Sequence, residues 1–413
     1  MTNLTPIPGA VTAPQGFLAG TLCCGIKANK PDLALIVSER PATVAVTLTT
    51  NAFRAAPVTV TAEHAASGAA RAVVVNSGAA NAATGEPGIL NARRMTAVAA
   101  EALGLAPEEV LVCSTGHIGN PLPMDKIEPG IVELAGKLSA DAGEDAARGI
   151  MTTDTFPKAV AVEFEICGKP VRLGGICKGA GMICPQMATM LCFLTTDLAV
   201  PAELLQSALS TAVDHAFNCV TVDGDQSTND TVALFANGAS GASLTSAEGE
   251  DYTTFAAALG YVTQELAKMI ARDGERATKF VTIRVTGARD FDHARRMGRA
   301  IANYTLLKTA LFGGDFNWGR LAAAVGAAQE GADPKLVTLT LGGITPWQRG
   351  QNLPYDREEG LRRMAEKEIA IEVDLGLGTS EATVWTCDLT PGYVEYNAEY
   401  EVSLFGEDEP IVN

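Results

Sequence analysis

The chemistry-bearing residues of this chain concentrate in the run Lys178-Gly-Ala-Gly-Met-Ile-Cys-Pro-Gln-Met-Ala-Thr189-Met-Leu191. A loop of small residues turns at Pro185 and enters an apolar segment that extends to Thr195. Thr189 carries a hydroxyl at the seam, after the minimal side chain of Ala188 and before a stretch that reads as a buried strand. A nucleophile would be well placed there. A β-branched residue also suits the pleated surface of any strand, so position alone leaves an ordinary strand threonine as the commoner explanation.

The other reactive types are sparse or scattered. Four histidines, His64, His117, His215 and His293, share no metal-ligand spacing. His215 and His293 stand beside Asp214 and Asp292 in helical stretches, where solvated pairing is the ordinary reading, while His117 follows Thr115-Gly116 at the end of an apolar run. Gly174-Gly-Ile-Cys-Lys178-Gly-Ala-Gly181 lacks the hydroxyl residue that a phosphate-binding loop needs after its Lys-containing turn. Asp374-Leu-Gly-Leu-Gly-Thr379 carries too few glycines for a dinucleotide fingerprint. Thr221-Val-Asp-Gly-Asp225-Gln-Ser-Thr-Asn229-Asp230-Thr231 is rich in oxygen ligands but out of register for a calcium loop, so a turn held by Asx hydrogen bonds is expected. Ile150-Met-Thr152-Thr-Asp154-Thr-Phe-Pro-Lys158 is a second polar run, between a helix and a strand. No metal and no cofactor is expected.

Bulk properties narrow the class. The chain has 413 residues, 47% hydrophobic and 19% charged, a globular composition long enough for two or three packed units. A net charge of −17 repels phosphate backbones and anionic lipid, arguing against nucleic acid or a membrane as main partner. Nine cysteines without CxxC spacing argue against a disulfide framework and for a reducing compartment. No signal pattern and no membrane-spanning apolar run is present, so a cytoplasmic location is expected.

The elements that must position these residues alternate irregularly. Strands are expected at 32–38, 42–50, 71–76, 109–114, 159–166, 170–176, 189–195, 230–236, 280–286, 335–341, 368–374, 382–389 and 393–400. Helices are expected at 90–105, 126–138, 140–150, 201–212, 252–272, 290–302, 317–328 and 357–367, with 77–81 as a polar turn. Strands often neighbour strands, which predicts α+β layering over a strict βαβ array.

Taken in order, Lys178-Gly-Ala-Gly-Met, Pro185-x-Met-Ala-Thr189-Met-Leu, Thr221-Val-Asp-Gly-Asp225, Glu275-x-Ala-Thr-Lys279, Asn317-Trp-Gly-Arg320 and Glu381-Ala-Thr-Val-Trp-Thr-Cys-Asp-Leu389 are specific. By these motifs the chain resembles the ornithine acetyltransferase family, the bifunctional glutamate N-acetyltransferases of arginine biosynthesis, over nearly its whole length. The resemblance implies a layered α/β sandwich, akin to N-terminal-nucleophile enzymes in chemistry but with its own topology. It implies a precursor that cuts itself between Ala188 and Thr189, giving an α chain of residues 1–188 and a β chain of residues 189–413, with two of each in a heterotetramer. Thr189 would then be the nucleophile that carries an acetyl group from N2-acetylornithine to glutamate, some members also using acetyl-CoA.

Matched by motif, Thr115 and Gly116 correspond to the oxyanion pair, and Thr152, Lys178, Thr189, Glu275 and Asn397 to the substrate contacts. Cleavage would give Thr189 an α-amine of unperturbed pKa about 7.7–8.0 as its own base, which a histidine-poor chain needs. Lys178 is expected to meet a carboxylate and Glu275 an ammonium; the alternatives are that Lys178 orients Thr189 and that Glu275 pairs with Lys279. The chain departs from the family pattern at Cys184, Gln186, Arg276 and His117, and at Val402, where a substrate-touching hydroxyl is usual. Two other readings remain, an N-terminal-nucleophile amidase or aminopeptidase that passes the acyl group to water, and a non-catalytic relative serving in binding or assembly.

Overall fold

Three sheets organise residues 4–184 and 190–398, the part of the chain that the computed structural model describes. The first is six-stranded, in the order Thr5–Pro6, Lys158–Ile166, Lys169–Lys178, Leu191–Thr196, Thr231–Ala236, Thr43–Leu48. The second has four strands, Phe17–Leu22, Leu33–Ser38, Ala72–Ala79 and Val110–His117. The third is built from the C-terminal part, with Phe280–Ala288 between Glu368–Asp374 and Ser380–Cys387.

Alternation along the strands explains how the layers stack, because successive side chains leave opposite faces of a sheet. In Leu33–Ser38, Ala34 and Ile36 face the first sheet's Phe193, Ala233 and Phe235, while Leu33, Leu35 and Val37 face the other way. The outward set packs on Met95 and Ala99 of helix Gly85–Leu103 and on Ile127 and Ile131 of helix Met124–Ala135. Cys192, Leu194, Val232 and Leu234 of the first sheet turn away from that interface onto Leu205 and Leu209 of helix Ala202–Asp214 and Val262 and Leu266 of helix Glu250–Arg272. The result is helices, sheet, sheet, helices. Each fully buried Phe, Leu or Ile in these layers contributes about 1.5–3 kcal/mol. The third sheet buries one face only: Ile369, Ile371 and Val373 are buried while Glu368, Ala370 and Glu372 are exposed.

This is the expected α+β layering, with several differences in detail. The stretch expected as a strand at 393–400 is the helix Pro391–Ala398 within the described residues. Thr390 starts it, its Oγ1 accepting from Tyr393 N at 3.2 Å, and Pro391 suits a first turn. The expected polar turn at 77–81 begins as strand, since Ala72–Ala79 continues through buried Ser77, whose hydroxyl donates to Gly149 O at 2.7 Å. Parallel pairing with Val110–His117 supplies the partners that a polar segment needs to stay in a sheet. Strand Phe17–Leu22 and helices Ala56–Ala65 and Thr305–Gly313 were not expected, their local patterns being short and mixed with glycine or turn residues. Gly174 and Gly175, part of the false phosphate-loop pattern, are buried in the strand Lys169–Lys178. His293 is not solvated beside Asp292: it is 2% exposed, bridging Arg289 N and Glu330 O, because its helix turns it inward. His215 stacks on Phe291 at 3.9 Å between ring centroids. No described helix is long and apolar enough to cross a membrane.

Candidate active site

The two stacked sheets bring several strand ends to one place. Strands Ala72–Ala79 and Val110–His117 run parallel and finish there, Lys169–Lys178 finishes there, and Leu191–Thr196 and Thr231–Ala236 start there. A cavity of about 320 Å³ lies between these ends. Thr115, Gly116, Thr152, Lys178, Glu275 and Asn397 all line it, so every described residue assigned to the site by motif meets the others. Ala188 and Thr189 lie outside the described residues, as does Val402; Met190, which follows Thr189 in the chain, lines the cavity.

Thr115 and Gly116 sit where the edge strand bends at an irregular register against Gly78 and Ala79. Gly116 has φ of 133°, and an added Cβ would fall 2.3 Å from the Gly78 carbonyl carbon, so only glycine fits. Lys178 Nζ donates to Thr115 Oγ1 at 3.2 Å. With that lone pair engaged, the threonine hydroxyl keeps its own proton to donate elsewhere, as an oxyanion partner must. Lys178 is 9% exposed; burial pulls its ammonium below the ordinary lysine range, against the raising charges of Asp154, Glu275 and Asp230.

Glu275 lines the same cavity. Its backbone N–H donates to Ala180 O at 3.0 Å, and Asn397 Nδ2 donates to Oε2 at 2.9 Å. Burial pushes its carboxyl up, partly offset by hydrogen bonds from Asn397 and Thr153. Gly181 makes room for it: an added Cβ would stand 2.3 Å from the Glu275 carboxyl carbon. Lys279 does not pair with Glu275; its ammonium points to Leu311 O and Met364 O. Helix Pro391–Ala398 carries Asn397 to Glu275 and, four residues earlier on the same face, Tyr393 to Asp223 at 3.2 Å.

The loop before the seam is held residue by residue. Asp223 Oδ2 accepts from Met182 N at 2.6 Å and Oδ1 from Ile183 N at 2.8 Å. Ile183 O accepts from Val222 N at 2.7 Å and Thr221 Oγ1 at 3.0 Å, and Cys184 O from Arg299 Nη2 at 3.3 Å. The acidic run 221–231 therefore includes the expected Asx turn, Asp225 N donating to Asp223 Oδ1 at 3.2 Å, and also clamps a distant loop.

Motif matching omitted several cavity residues. His117, Ser227, Thr228, Asn229 and Asp230 line it. Asp230 is 1% exposed, and its Oδ2 has no hydrogen-bond partner among the described residues. Burial pushes its carboxyl well above the ordinary range, against hydrogen bonds from Ser227 and from the Met190 N–H. The available signal was a polar run directly before an apolar strand that pairs with the one following the seam.

The model of the ArgJ family matches residues 18–402. The arginine biosynthesis bifunctional protein ArgJ of Symbiobacterium thermophilum is 48% identical over 397 residues, covering 95% of this chain and 99% of its own. The protein of the same name from Listeria monocytogenes is 44% identical over 395 residues, covering 95% of this chain and 99% of its own. Among solved structures, the chain is similar to the arginine biosynthesis bifunctional protein ArgJ of Bacillus halodurans, with 40% identity, 46% of this chain and 100% of that one covered, and a TM-score of 0.43. It is also similar to the ornithine acetyltransferase complexed with ornithine from Mycobacterium tuberculosis, with 39% identity, 45% and 100% covered, and a TM-score of 0.42.

Proposed function

The chain belongs to the ArgJ family, and from that premise we propose that it is the acetyltransferase of arginine biosynthesis that moves an acetyl group from N2-acetylornithine to glutamate through an acetyl-threonine at Thr189. The observation that carries this reading is the cavity in which Thr115, Gly116, Thr152, Lys178, Glu275 and Asn397 converge beside Met190. A buried ammonium and a carboxylate lining one cavity suit a ligand that bears both charges, as ornithine and its acetylated form do.

Self-cleavage between Ala188 and Thr189 yields chains 1–188 and 189–413 and exposes the Thr189 α-amine. The amine takes the hydroxyl proton as Oγ attacks the acetyl carbonyl carbon, and the carbonyl oxygen becomes an oxyanion facing Thr115 Oγ1 and the Gly116 N–H. The carbon–nitrogen bond to ornithine breaks, and the protonated amine returns its proton to the leaving nitrogen. Glutamate's amine then attacks the acetyl ester, restoring the Thr189 hydroxyl. Losing one oxyanion donor costs roughly 3–4 kcal/mol of barrier in comparable sites. Lys178 receives the substrate carboxylate while holding Thr115, and Glu275 receives the ammonium of the ornithine side chain. Acetyl-CoA as an alternative donor, an assembly of two α and two β chains and a cytoplasmic location belong to the same reading.

Denaturing mass spectrometry of the purified protein tests it directly. Two fragments split before Thr189 are expected, and adding acetylornithine without glutamate should raise the mass of the larger fragment by one acetyl group. Acetylglutamate should then form when glutamate is added. A chain that stays intact and takes no acetyl group would sink the proposal, whereas free acetate in place of acetylglutamate would mark a hydrolase.

A further inference from the structure

Beneath the cavity floor lies an ion triad that the acetyl-transfer chemistry does not use. Lys158 Nζ donates to Asp154 Oδ1 at 2.7 Å and to Asp273 Oδ2 at 2.5 Å, and the three side chains are at most 3% exposed. Burial alone would neutralise such groups. Instead Lys158 and Lys178 outweigh desolvation and hold the Asp154 carboxyl far below the ordinary range, while Asp154 and Asp273 keep Lys158 raised. Asp154 thus stands between two lysines, Lys158 and Lys178.

The triad also holds the backbone of the cavity wall. Asp154 Oδ1 accepts from Gly179 N at 2.7 Å, the residue after Lys178, and Oδ2 from Thr152 N at 3.0 Å. Asp273 Oδ2 accepts from Thr155 N at 3.0 Å, and Asp273 caps helix Glu250–Arg272 two residues before Glu275. Three segments distant in sequence, those of Thr152, Lys178 and Glu275, are thus fastened to one buried cluster. A single carboxylate accepting from two of these segments sets their spacing, since moving either one breaks a charge-assisted hydrogen bond.

We propose that Asp154, Lys158 and Asp273 are positioning residues of the substrate site: Asp154 sets Thr152 against Lys178 and places its charge beside the lysine that binds the ligand's carboxylate, while Lys158 and Asp273 hold Asp154 there. This rests on the reading of Lys178 given above. The charged groups acting on Lys178 are Asp154, Lys158, Glu275 and Asp230, and Lys178 in turn acts on Lys27, which burial lowers to about 8. Of the neighbouring charges, Asp154 raises Lys178 most, opposing desolvation. Removing that charge lets the ammonium lose its proton at lower pH.

The test is the pH profile of kcat/KM, with KM and kcat separated, for the cleaved wild-type enzyme and for Asp273→Asn, Asp154→Asn and Asp154→Glu, each checked by circular dichroism and thermal unfolding. Asp273→Asn leaves the Asp154–Lys158 pair and both backbone contacts of Asp154 in place but weakens the anchor of Lys158, so KM should rise with the alkaline limb in place. Asp154→Asn removes charge and contact together; its limb should fall by about one pH unit or more, with a raised KM. Asp154→Glu keeps the charge but displaces the acceptor oxygens, so KM should rise with the limb in place. Lys178→Ala serves as the reference. A wild-type KM for Lys178→Ala would reject the underlying reading of Lys178, whatever the other variants do. An impaired Lys178→Ala with an unmoved alkaline limb in folded Asp154→Asn overturns the triad proposal. So does a folded Asp154→Glu with wild-type KM.

Discussion

Glu275 holds its carboxylate against the Cα of Gly181, and this contact separates a functional effect from a structural one. Gly181→Ala would place a Cβ 2.3 Å from that carboxyl carbon, and the flexible end of the glutamate, not the backbone, would give way. The melting temperature should stay near the wild-type value while KM for acetylornithine rises at least about tenfold, because small displacements of a contact group are costly in productive binding. Steady-state kinetics with a thermal melt on the same sample decides this; a wild-type KM refutes it. Titration at the same residue gives a second expectation. Burial raises the Glu275 carboxyl and the Asn397 amide lowers it. A carboxylate binds an ammonium only when ionised, so productive binding should grow as pH rises through this raised pKa. Asn397→Ala removes the lowering hydrogen bond and should shift the acid limb of kcat/KM to higher pH. An acid limb that stays in place would assign it to another group.

At the scale of elements, helix Pro391–Ala398 and the acidic run 221–231 work as a brace for the loop that enters the seam. Asp223 receives Met182 N, Ile183 N and the Tyr393 hydroxyl, so one carboxylate links the loop to the C-terminal helix. Hydrogen bonds to a charged group are worth about 1.5–3 kcal/mol each, and two of these fix consecutive residues of the loop. Asp223→Ala should therefore slow self-cleavage, leaving intact chain that a time course of intact mass would reveal, while Tyr393→Phe, which keeps both backbone contacts, should process close to normally. Equal processing of Asp223→Ala and wild type would show that the clamp has no part in maturation.

At the scale of the whole molecule, the proposed cut falls, in chain order, between two neighbouring strands of one sheet. Strand Lys169–Lys178 of the first chain pairs with Leu191–Thr196 of the second, and Thr231–Ala236 of the second is flanked on its far side by Thr43–Leu48 of the first. Phe193, Ala233 and Phe235 then pack on Ala34, Ile36, Val73 and Val75 across the sheet interface. Separating the chains would expose that core and open two strand pairings. The cleaved protein should therefore melt in one cooperative transition and keep both fragments together on gel filtration, parting only in denaturant. Fragments that separate under native conditions would contradict the interleaved sheet.

How much of this was legible beforehand follows from how local each signal is. Leu33–Ser38 and Thr231–Ala236 are nearly continuous apolar runs and Glu368–Asp374 alternates, signals written residue by residue, so these strands and the layered class were readable from order alone. Thr115, Gly116, Thr152, Lys178, Glu275 and Asn397 were named through the family resemblance that the ordered motifs carry, and the fold brings them to one cavity. Other features depended on partners far along the chain. Tyr393 to Ala398 has the aromatic and β-branched content of a strand, and a helix forms where Thr390 caps it and Asp223 and Glu275 receive its face. Asp154 and Lys158 looked like an ordinary polar run; Asp273, more than a hundred residues away, makes them a buried triad. Propensity and alternation act between neighbours, so sequence determined the elements and the chemical types at the site. Hydrogen-bond satisfaction of buried charge is settled only when distant segments meet, so the tertiary structure decided which carboxylate lines the cavity, which clamps the loop before the seam and which joins the buried triad.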